Sequence, residues 1–434
     1  MSVTRRALLG AAVAGAGAVG FARRSGFTPS NTGSAGPDTL TFALWGTEAE
    51  TASFRSLART YEQRNRGIRV HIKVEPYQQM YTNMDALLAG GHAPDLFRCD
   101  YANLGMYSAS DQLLDLSPYF SEAERKSFLP ALWEAVCHDG RPYAVPHHTD
   151  TTAVLYRKDM FERAGITEVP RRLEDAWTWD EFGEICARLS KKLDHVYPFT
   201  YGWQQAGAFR WLTWLWEAGG HLLTRDLSAP ALESAAGLRA MRFTQDFFRQ
   251  GWVPPNSSVK TASYPDSLFN AGTTAMAFAG DFLLPQIVAG GLDPDLYGVT
   301  YQPRDRMAAT DLGGNAVVAT RTTENPELAA DFLKFLVSEE IMRRYCEETV
   351  VLPTRPALLQ SRLDYAERPD LMPVFADQAT TLTPAMTGEV AVPYFGRINS
   401  ALQDELEAAF VSGQSAEATL QKIADATRAA IAAQ

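Results

Sequence analysis

The chain has 434 residues, of which 46% are hydrophobic, and carries 51 acidic against 40 basic side chains, a formal net charge of −11 at pH 7. That length exceeds what one hydrophobic core serves and predicts two domains. The acidic balance argues against nucleic acid as a partner, since a polyphosphate needs a basic face.

Thr4-Arg5-Arg6-Ala7-Leu8-Leu9-Gly10 matches the twin-arginine export pattern, and an uncharged Ala/Gly-rich run continues to Ala22. The run is only weakly apolar and falls short of the roughly 20 apolar residues a membrane span needs. Residues 1–35 therefore read as a signal and linker, and the protein is expected in the periplasm or outside the cell. Gly15 to Gly20 spells GxGxxG, but no strand precedes it, so no nucleotide site is expected. No cysteine lies near residues 16–36, so the protein is not expected to be a lipoprotein. Cys99, Cys137, Cys186 and Cys346 lie far apart, none in a CxxC pair, and do not read as a metal site. Their spacing and folded passage through the twin-arginine route favour buried free thiols. Residues 1–35 hold four arginines and no acid, leaving 36 basic against 51 acidic groups beyond them, a net of −15.

The ordered body is expected to begin after residue 38. Leu40 to Trp45 reads as a strand, and Phe54, Leu57, Ala58 and Tyr61 mark the buried face of a helix that Gly67 stops. Ile68, Val70, Ile72 and Val74 alternate and predict a strand with one buried face. Met80, Met84, Leu87 and Leu88 return to helical spacing, and Ala93 to Arg98 supplies a third strand. This β-α-β-α-β start defines an α/β fold, in which ligands sit beyond the carboxyl ends of the strands. Much later, Gly313-Gly314 precede a short apolar strand, Asn315 to Thr320, with the look of a hinge. Thr323 to Glu327 then lead through Pro326 into an amphipathic helix marked by Leu328, Phe332, Phe335 and Leu336. A second helix follows and ends in the extended Leu352-Pro-Thr-Arg-Pro356.

This last succession resembles the extracellular solute-binding proteins of bacterial ABC importers, family 1, the maltose-binding-protein-like class. Further motifs stand in that family's order. Pro94-Asp95-Leu96 and Leu113 to Leu116 resemble its first lobe, and Pro142 to Pro146 with Ala153 to Asp159 its first interlobe crossing. Thr178 to Phe182, Ala275 to Gly280 and Tyr297 to Val299 resemble its second lobe. The resemblance spans residues 38–434. It implies the two-lobed periplasmic binding protein fold (type II) with three interlobe crossings. The first lobe would comprise 38–150 with 312–354, and the second 151–311 with 355–434, closing over a ligand by hinge bending.

A sugar site needs flat aromatic faces and carboxylates or amides for hydroxyls. Trp45 ends the first strand, and Asp100 and Tyr101 end the third, although Asp100 could equally cap the next helix. Cys99 stands where maltose-binding protein carries a stacking tryptophan, a departure that counts against a maltose-like subsite. Asp150, after His147-His148-Thr149, aligns with the family's carboxylate for sugar hydroxyls. The two histidines should point to opposite faces of an extended segment, which leaves no metal site. Trp203, Gln204 and Phe209 precede a tryptophan-rich helix and can face the cleft, whereas Trp211, Leu212 and Leu215 sit at core spacing. Asp281 and Phe282 follow a strand, Gly314 and Asn315 offer hydrogen bonds from the hinge strand, and Tyr394, Phe395 and Arg397 lie in a segment that resembles the last ligand-contacting loop.

The reading implied is a monomeric binding protein without catalytic residues, cofactor or metal that delivers a mono- or oligosaccharide to an ABC permease. Two alternatives remain open. One is a secreted carbohydrate-active enzyme with Asp100 and Asp150 as an acid and a nucleophile or base, about 5–9 Å apart. The other is a binding protein for a non-sugar solute such as a glycerophosphodiester, for which Arg397 is the one basic candidate. Replacing Arg5 and Arg6 together by Lys is expected to leave the precursor in the cytoplasm; cell fractionation that finds normal export of this variant would show the pair to be incidental.

Overall fold

The computed structural model describes residues 38–203, 207–261 and 263–434. The export motif and linker, residues 1–35, lie outside the described residues. Among the described residues eleven strands run in chain order: β1 (Thr39–Leu44), β2 (Arg69–Val74), β3 (Leu96–Asp100), β4 (Cys137–His138), β5 (Arg141–Pro142), β6 (Ala144–His148), β7 (Thr152–Arg157), β8 (Tyr197–Tyr201), β9 (Thr274–Gly280), β10 (Tyr297–Thr300) and β11 (Asn315–Ala319). They form a five-stranded sheet, β2-β1-β3-β11-β6, a four-stranded sheet, β10-β7-β9-β8, and the small β4-β5 hairpin. These two main sheets, with helices packed on them, are the cores of a two-lobed α/β fold.

In the first sheet β1 runs parallel to β2 and β3, so all three direct their carboxyl ends to the same edge. The helices between them follow from local chemistry. Helix α1 (Glu48–Arg64) starts with a capping box, in which Thr47 and Glu50 satisfy each other's backbone N–H groups. It buries Phe54, Leu57, Ala58 and Tyr61, as their spacing predicts, and Phe54 and Leu57 contribute about 1.5–3 kcal/mol each. Helices α2 (Tyr77–Ala89) and α3 (Tyr101–Ala109) follow β2 and β3 directly. The expectation for β2 fails in part. Val70 is buried, but Val74 is 40% exposed, because β2 pairs only with β1 and its last residue reaches the cavity. Strand β11 inserts antiparallel between β3 and β6, so a segment more than 160 positions later in the chain completes the first sheet.

The second sheet is centred on β7 and β9, and all seven residues of β9 are buried. Its tryptophan-rich neighbour, helix Leu212–Glu217, packs Trp214 and Trp216 into the core together with Trp211 just before it, each at most 1% exposed. Cys99, Cys186 and Cys346 are buried free thiols and Cys137 is a partly buried one.

Three connecting stretches lie side by side between the sheets. Residues 149–151 join β6 to β7, 312–314 lead into β11, and Leu352 exchanges both backbone hydrogen bonds with Thr149 at 2.9 Å. Thr149 also donates through its hydroxyl to the Gly313 carbonyl at 3.1 Å.

A C-terminal strap, helix Pro384–Val390 and the residues after it, touches both halves. Its buried Glu389 accepts from the Trp216 indole N–H at 2.9 Å and the Leu222 amide at 3.1 Å, while Thr387 donates to Ala131 O at 3.2 Å. Where the strap leaves this helix it runs over α3 at Gly105. A Cβ there would stand 2.1 Å from the Ala391 carbonyl oxygen and 2.8 Å from that of Val392. Both atoms are backbone, so neither can swing aside. Gly105→Ala is therefore expected to destabilise the fold by about 1–3 kcal/mol, measured by denaturant unfolding; a loss below about 0.5 kcal/mol, the ordinary surface value, would mean that the strap does not hold this position.

Candidate functional site

A cavity of about 600 Å³ opens where the carboxyl ends of β1 and β3 face the loops of the second sheet. Trp45 and Asp100 stand at those strand ends, and Tyr77 opens the helix after β2. Phe209, Arg210 and Phe282 line the opposite side. Trp45 is partly exposed, and its ring lies 5.4 Å from that of Tyr77 and 5.7 Å from that of Tyr81, so an aromatic wall borders the cavity.

Beneath this wall lies a buried ion pair between Arg98 and Glu50, the arginine only 2% exposed. Arg98 also donates from Nη1 to Trp45 O at 2.6 Å, and its guanidinium lies 5.1 Å from the Trp45 ring centroid. Burial works to raise the Glu50 carboxyl, but the Arg98 charge and its hydrogen bonds outweigh it and hold the group below its ordinary value. Tyr345 donates to the same carboxylate at 3.2 Å. The Nε of Arg98 is buried without a hydrogen-bond partner.

His147 and His148 depart from the expectation of opposite faces. Asn315 pairs with His148 but Ala316 pairs with Pro146, so His147 is the extra residue of a β-bulge. The two Nδ1 atoms come within 3.3 Å, and both rings approach Tyr345, at 4.3 and 5.6 Å. Burial, together with the Arg98 charge, holds both imidazoles well below their ordinary value and so neutral. His148 lines the cavity, where its Nε2 lies 3.3 Å from both Arg98 Nη2 and Asn315 Nδ2. Among the described residues no group of three His, Cys, Asp or Glu is placed to hold a metal ion.

Asp100 is both helix cap and cavity wall. Its Oδ1 accepts from the Asn103 amide at 3.0 Å and side chain at 2.8 Å, and Oδ2 accepts from Tyr77 at 3.3 Å. Burial raises its carboxyl. Asp150 stands on the first crossing, 8% exposed, with Gly313 so near that a Cβ there would lie 2.0 Å from Oδ1. Gly314 has φ +88 and passes 2.4 Å from Thr149 Cα by the same measure, which is why the pair must be glycine. Arg210 pairs with Asp311 at 3.3 Å. Burial and the neighbouring Asp311 charge push the Asp150 carboxyl up to about 7, with Arg210 opposing.

Of the residues expected from sequence, Trp45, Asp100, Tyr101, Asp150, Phe209, Phe282, Gly314 and Asn315 meet around this one cavity. Gln204 lies outside the described residues. Four others stand elsewhere. Trp203 is fully buried between Tyr201, 4.2 Å away, and Phe410, 5.5 Å away, because the turn after β8 folds its ring inward. Asp281 is also fully buried and accepts from the Thr151 amide at 3.1 Å, which ties the end of β9 to the first crossing. The expected loop at Tyr394 to Arg397 is instead the start of helix Phe395–Val411, which turns Tyr394 onto Leu227 O at 2.5 Å and Arg397 outward toward Ala433 O at 3.4 Å. The basic groups at the cavity are thus Arg98 and Arg210. Sequence reasoning missed both, along with Glu50, Tyr77 and Tyr264. Arg98 had a signal, a charge inside the buried run Leu96 to Cys99. Tyr77 had one too, since it follows β2 as Trp45 follows β1.

This geometry, a ligand-sized cavity at strand ends between two sheets joined by adjacent crossings, defines a hinged binding protein. The sequence profile of the bacterial extracellular solute-binding proteins matches residues 45–343, and the chain belongs to that family. It is 22% identical over 322 residues to a binding protein of Brucella abortus, covering 72% of this chain and 74% of the relative. It is 25% identical over 294 residues to the maltodextrin-binding protein MdxE of Bacillus subtilis, covering 64% of this chain and 66% of that one. Among solved structures, an ABC transporter solute-binding protein of Thermotoga lettingae bound with alpha-D-tagatose superposes with a TM-score of 0.75 at 24% identity, over 91% of this chain and all of that one, and shares the fold.

The Asp150 carboxyl generates a stability prediction. The folded protein keeps it protonated up to about pH 7, whereas its ordinary value is 3.8, so the folded state binds more protons between these limits. Its contribution to stability therefore falls as the pH rises through that window. Asp281, whose carboxyl burial and the Asp150 charge also raise, acts with the same sign. Asp150→Asn is expected to flatten the decline, with the variant gaining most on the wild type above pH 7. Denaturant unfolding across the pH range checks this, and an unchanged slope contradicts it.

Proposed function

We propose that the protein captures a neutral mono- or oligosaccharide between two lobes outside the cytoplasmic membrane and delivers it to an ABC permease. The observation that carries this reading is the pairing, in one cavity, of partly exposed aromatic faces with carboxylate and amide acceptors. Trp45, Tyr77 and Phe282 supply the faces, and Asp100, Asp150 and Asn315 the polar groups. Aromatic rings cover the C–H face of a pyranose while the polar groups take its hydroxyls. The maltodextrin and tagatose ligands in the names of the similar proteins support the same class.

A phosphate or other anion suits the cavity poorly. Arg98 is held by Glu50, and Arg210 by Asp311 beside Asp150, so neither offers an uncompensated charge. The lobes proposed are 38–150 with 312–354 and 151–311 with 355–434, hinged at the adjacent crossings. An open form binds on one lobe, contacts to the other favour closure, and the permease reads the closed form. Export by the Arg5-Arg6 signal belongs to the same reading.

A thermal-shift panel of sugars tests it directly, because a ligand at 100 times its Kd stabilises by about 2.7 kcal/mol. A panel with no shift would remove the sugar reading. With a sugar in hand, Asp150→Ala is expected to weaken binding by about 1.5–3 kcal/mol, roughly 10- to 150-fold. Arg397→Ala, outside the cavity, should bind as wild type. Equal Kd values for all three proteins by calorimetry would show that Asp150 contacts no ligand.

A further inference from the structure

Arg98 makes several contacts at the floor of the cavity, and each runs in one direction, because a guanidinium donates and never accepts. Nη1 donates to Trp45 O at 2.6 Å. Nη2 carries two protons and faces two acceptors, the Glu50 carboxylate and His148 Nε2, the latter at 3.3 Å. The contact to His148 is near the long end of hydrogen bonding, but what it fixes is direction.

Nε2 of His148 must hold a lone pair toward Arg98, so the proton of this neutral imidazole stands on Nδ1. Nδ1 lies 3.3 Å from Nδ1 of His147, which then accepts, and the His147 proton stands on Nε2. That nitrogen is buried with no hydrogen-bond partner, and the rings of Phe54 and Tyr345 pack on His147 with centroids 5.0 and 4.3 Å from its own. An electron-rich ring face receives an N–H more readily than a lone pair. Reversing the order would set an N–H of His148 against an N–H of Arg98.

The same lone pair orders an amide on its other side. Asn315 Nδ2 stands 3.3 Å from His148 Nε2, and only the NH2 end of an amide can face a lone pair. Asn315 and His148 both line the main cavity. With Nε2 engaged by two donors, His148 offers a ligand no free acceptor.

Resting on the sugar reading above, we infer that Arg98 is a positioning residue for the ligand: through the His148 lone pair it holds the Asn315 amide so that the carbonyl oxygen, not the NH2, is left to the cavity. The ligand group met at this corner is then an O–H donor. A carbonyl, carboxylate or phosphate there would set acceptor against acceptor.

Two measurements test this. Long-range nitrogen–proton NMR correlation spectra of the ligand-free protein read the tautomers, with His147→Gln and His148→Gln variants assigning the two rings among the seven histidines. The Nδ1–H form is expected for His148 and the Nε2–H form for His147. An Nε2–H form of His148, or averaging between tautomers, overturns the inference and leaves the sugar reading standing. Calorimetry then compares wild type, His148→Leu and His148→Gln against glucose, maltose, maltotriose, chitobiose and arabinotriose, with circular dichroism checking that both variants fold. His148→Leu is expected to weaken binding by about tenfold or more, because the amide loses its anchor. His148→Gln, whose amide oxygen can stand in for Nε2, is expected to recover most of that loss. Equal Kd for all three proteins, or a loss that Gln does not repair, also overturns the inference. A wild type that binds none of these sugars brings down the sugar reading and this inference together, whatever the tautomers.

Discussion

Gly313 and Gly314 have no room for side chains because the first crossing runs against them, and this contact decides where the Asp150 carboxylate stands. The same crossing exchanges backbone hydrogen bonds with Leu352 and receives the Asp281 carboxylate on its Thr151 amide. Connections from three distant parts of the chain are thereby fixed within a few residues of one another. A hinge of this kind bends by small torsional changes at the crossings while the sheets on either side stay rigid. The cavity therefore sits where motion is cheap but position is well defined.

Two charge clusters flank that hinge, and they differ in kind. The Arg98–Glu50 pair is closed on itself and packed under Trp45. Such a buried pair adds little net stability over apolar packing, but losing one partner strands the other charge. Its use here is geometric, since the guanidinium holds both the carbonyl and the ring of Trp45. The Arg210 cluster is unbalanced, with Asp150 and Asp281 beside the Asp311 pair and their carboxyls raised by burial and mutual repulsion. One cluster orients an aromatic wall. The other keeps acids at the crossings close to neutrality.

The early α/β order was legible because its signals are local. Helical spacing at Phe54 to Tyr61 and the Thr178 to Phe182 helix start both correspond to formed elements, the second with its own capping box. The strand-end rule found Trp45 and Asp100, and applied evenly would have found Tyr77. What stayed hidden depends on distant partners. Trp203 is buried by Phe410, more than 200 positions away in the chain, and no local pattern distinguishes it from a cleft tryptophan. The bulge at His147 arises from pairing with β11, so the period-two expectation for adjacent histidines had no means of foreseeing it. Val392 to Arg397 read as a loop by resemblance to the family's last ligand-contacting segment, yet the residues from Phe395 on already belong to a long helix.

The strap across Gly105 also bears on the order in which the molecule can assemble. Thr387 meets Ala131 and Glu389 meets Trp216 over separations of 256 and 173 residues. Contacts of that range are slow to form, since each must first close a long loop. The ends of β1 to β3 can gather early, but the wall that faces α3 arrives only with the last part of the described chain. The contacts that tie the strap to both halves are thus among the slowest for folding to close, although the cavity itself is lined by residues 45–315.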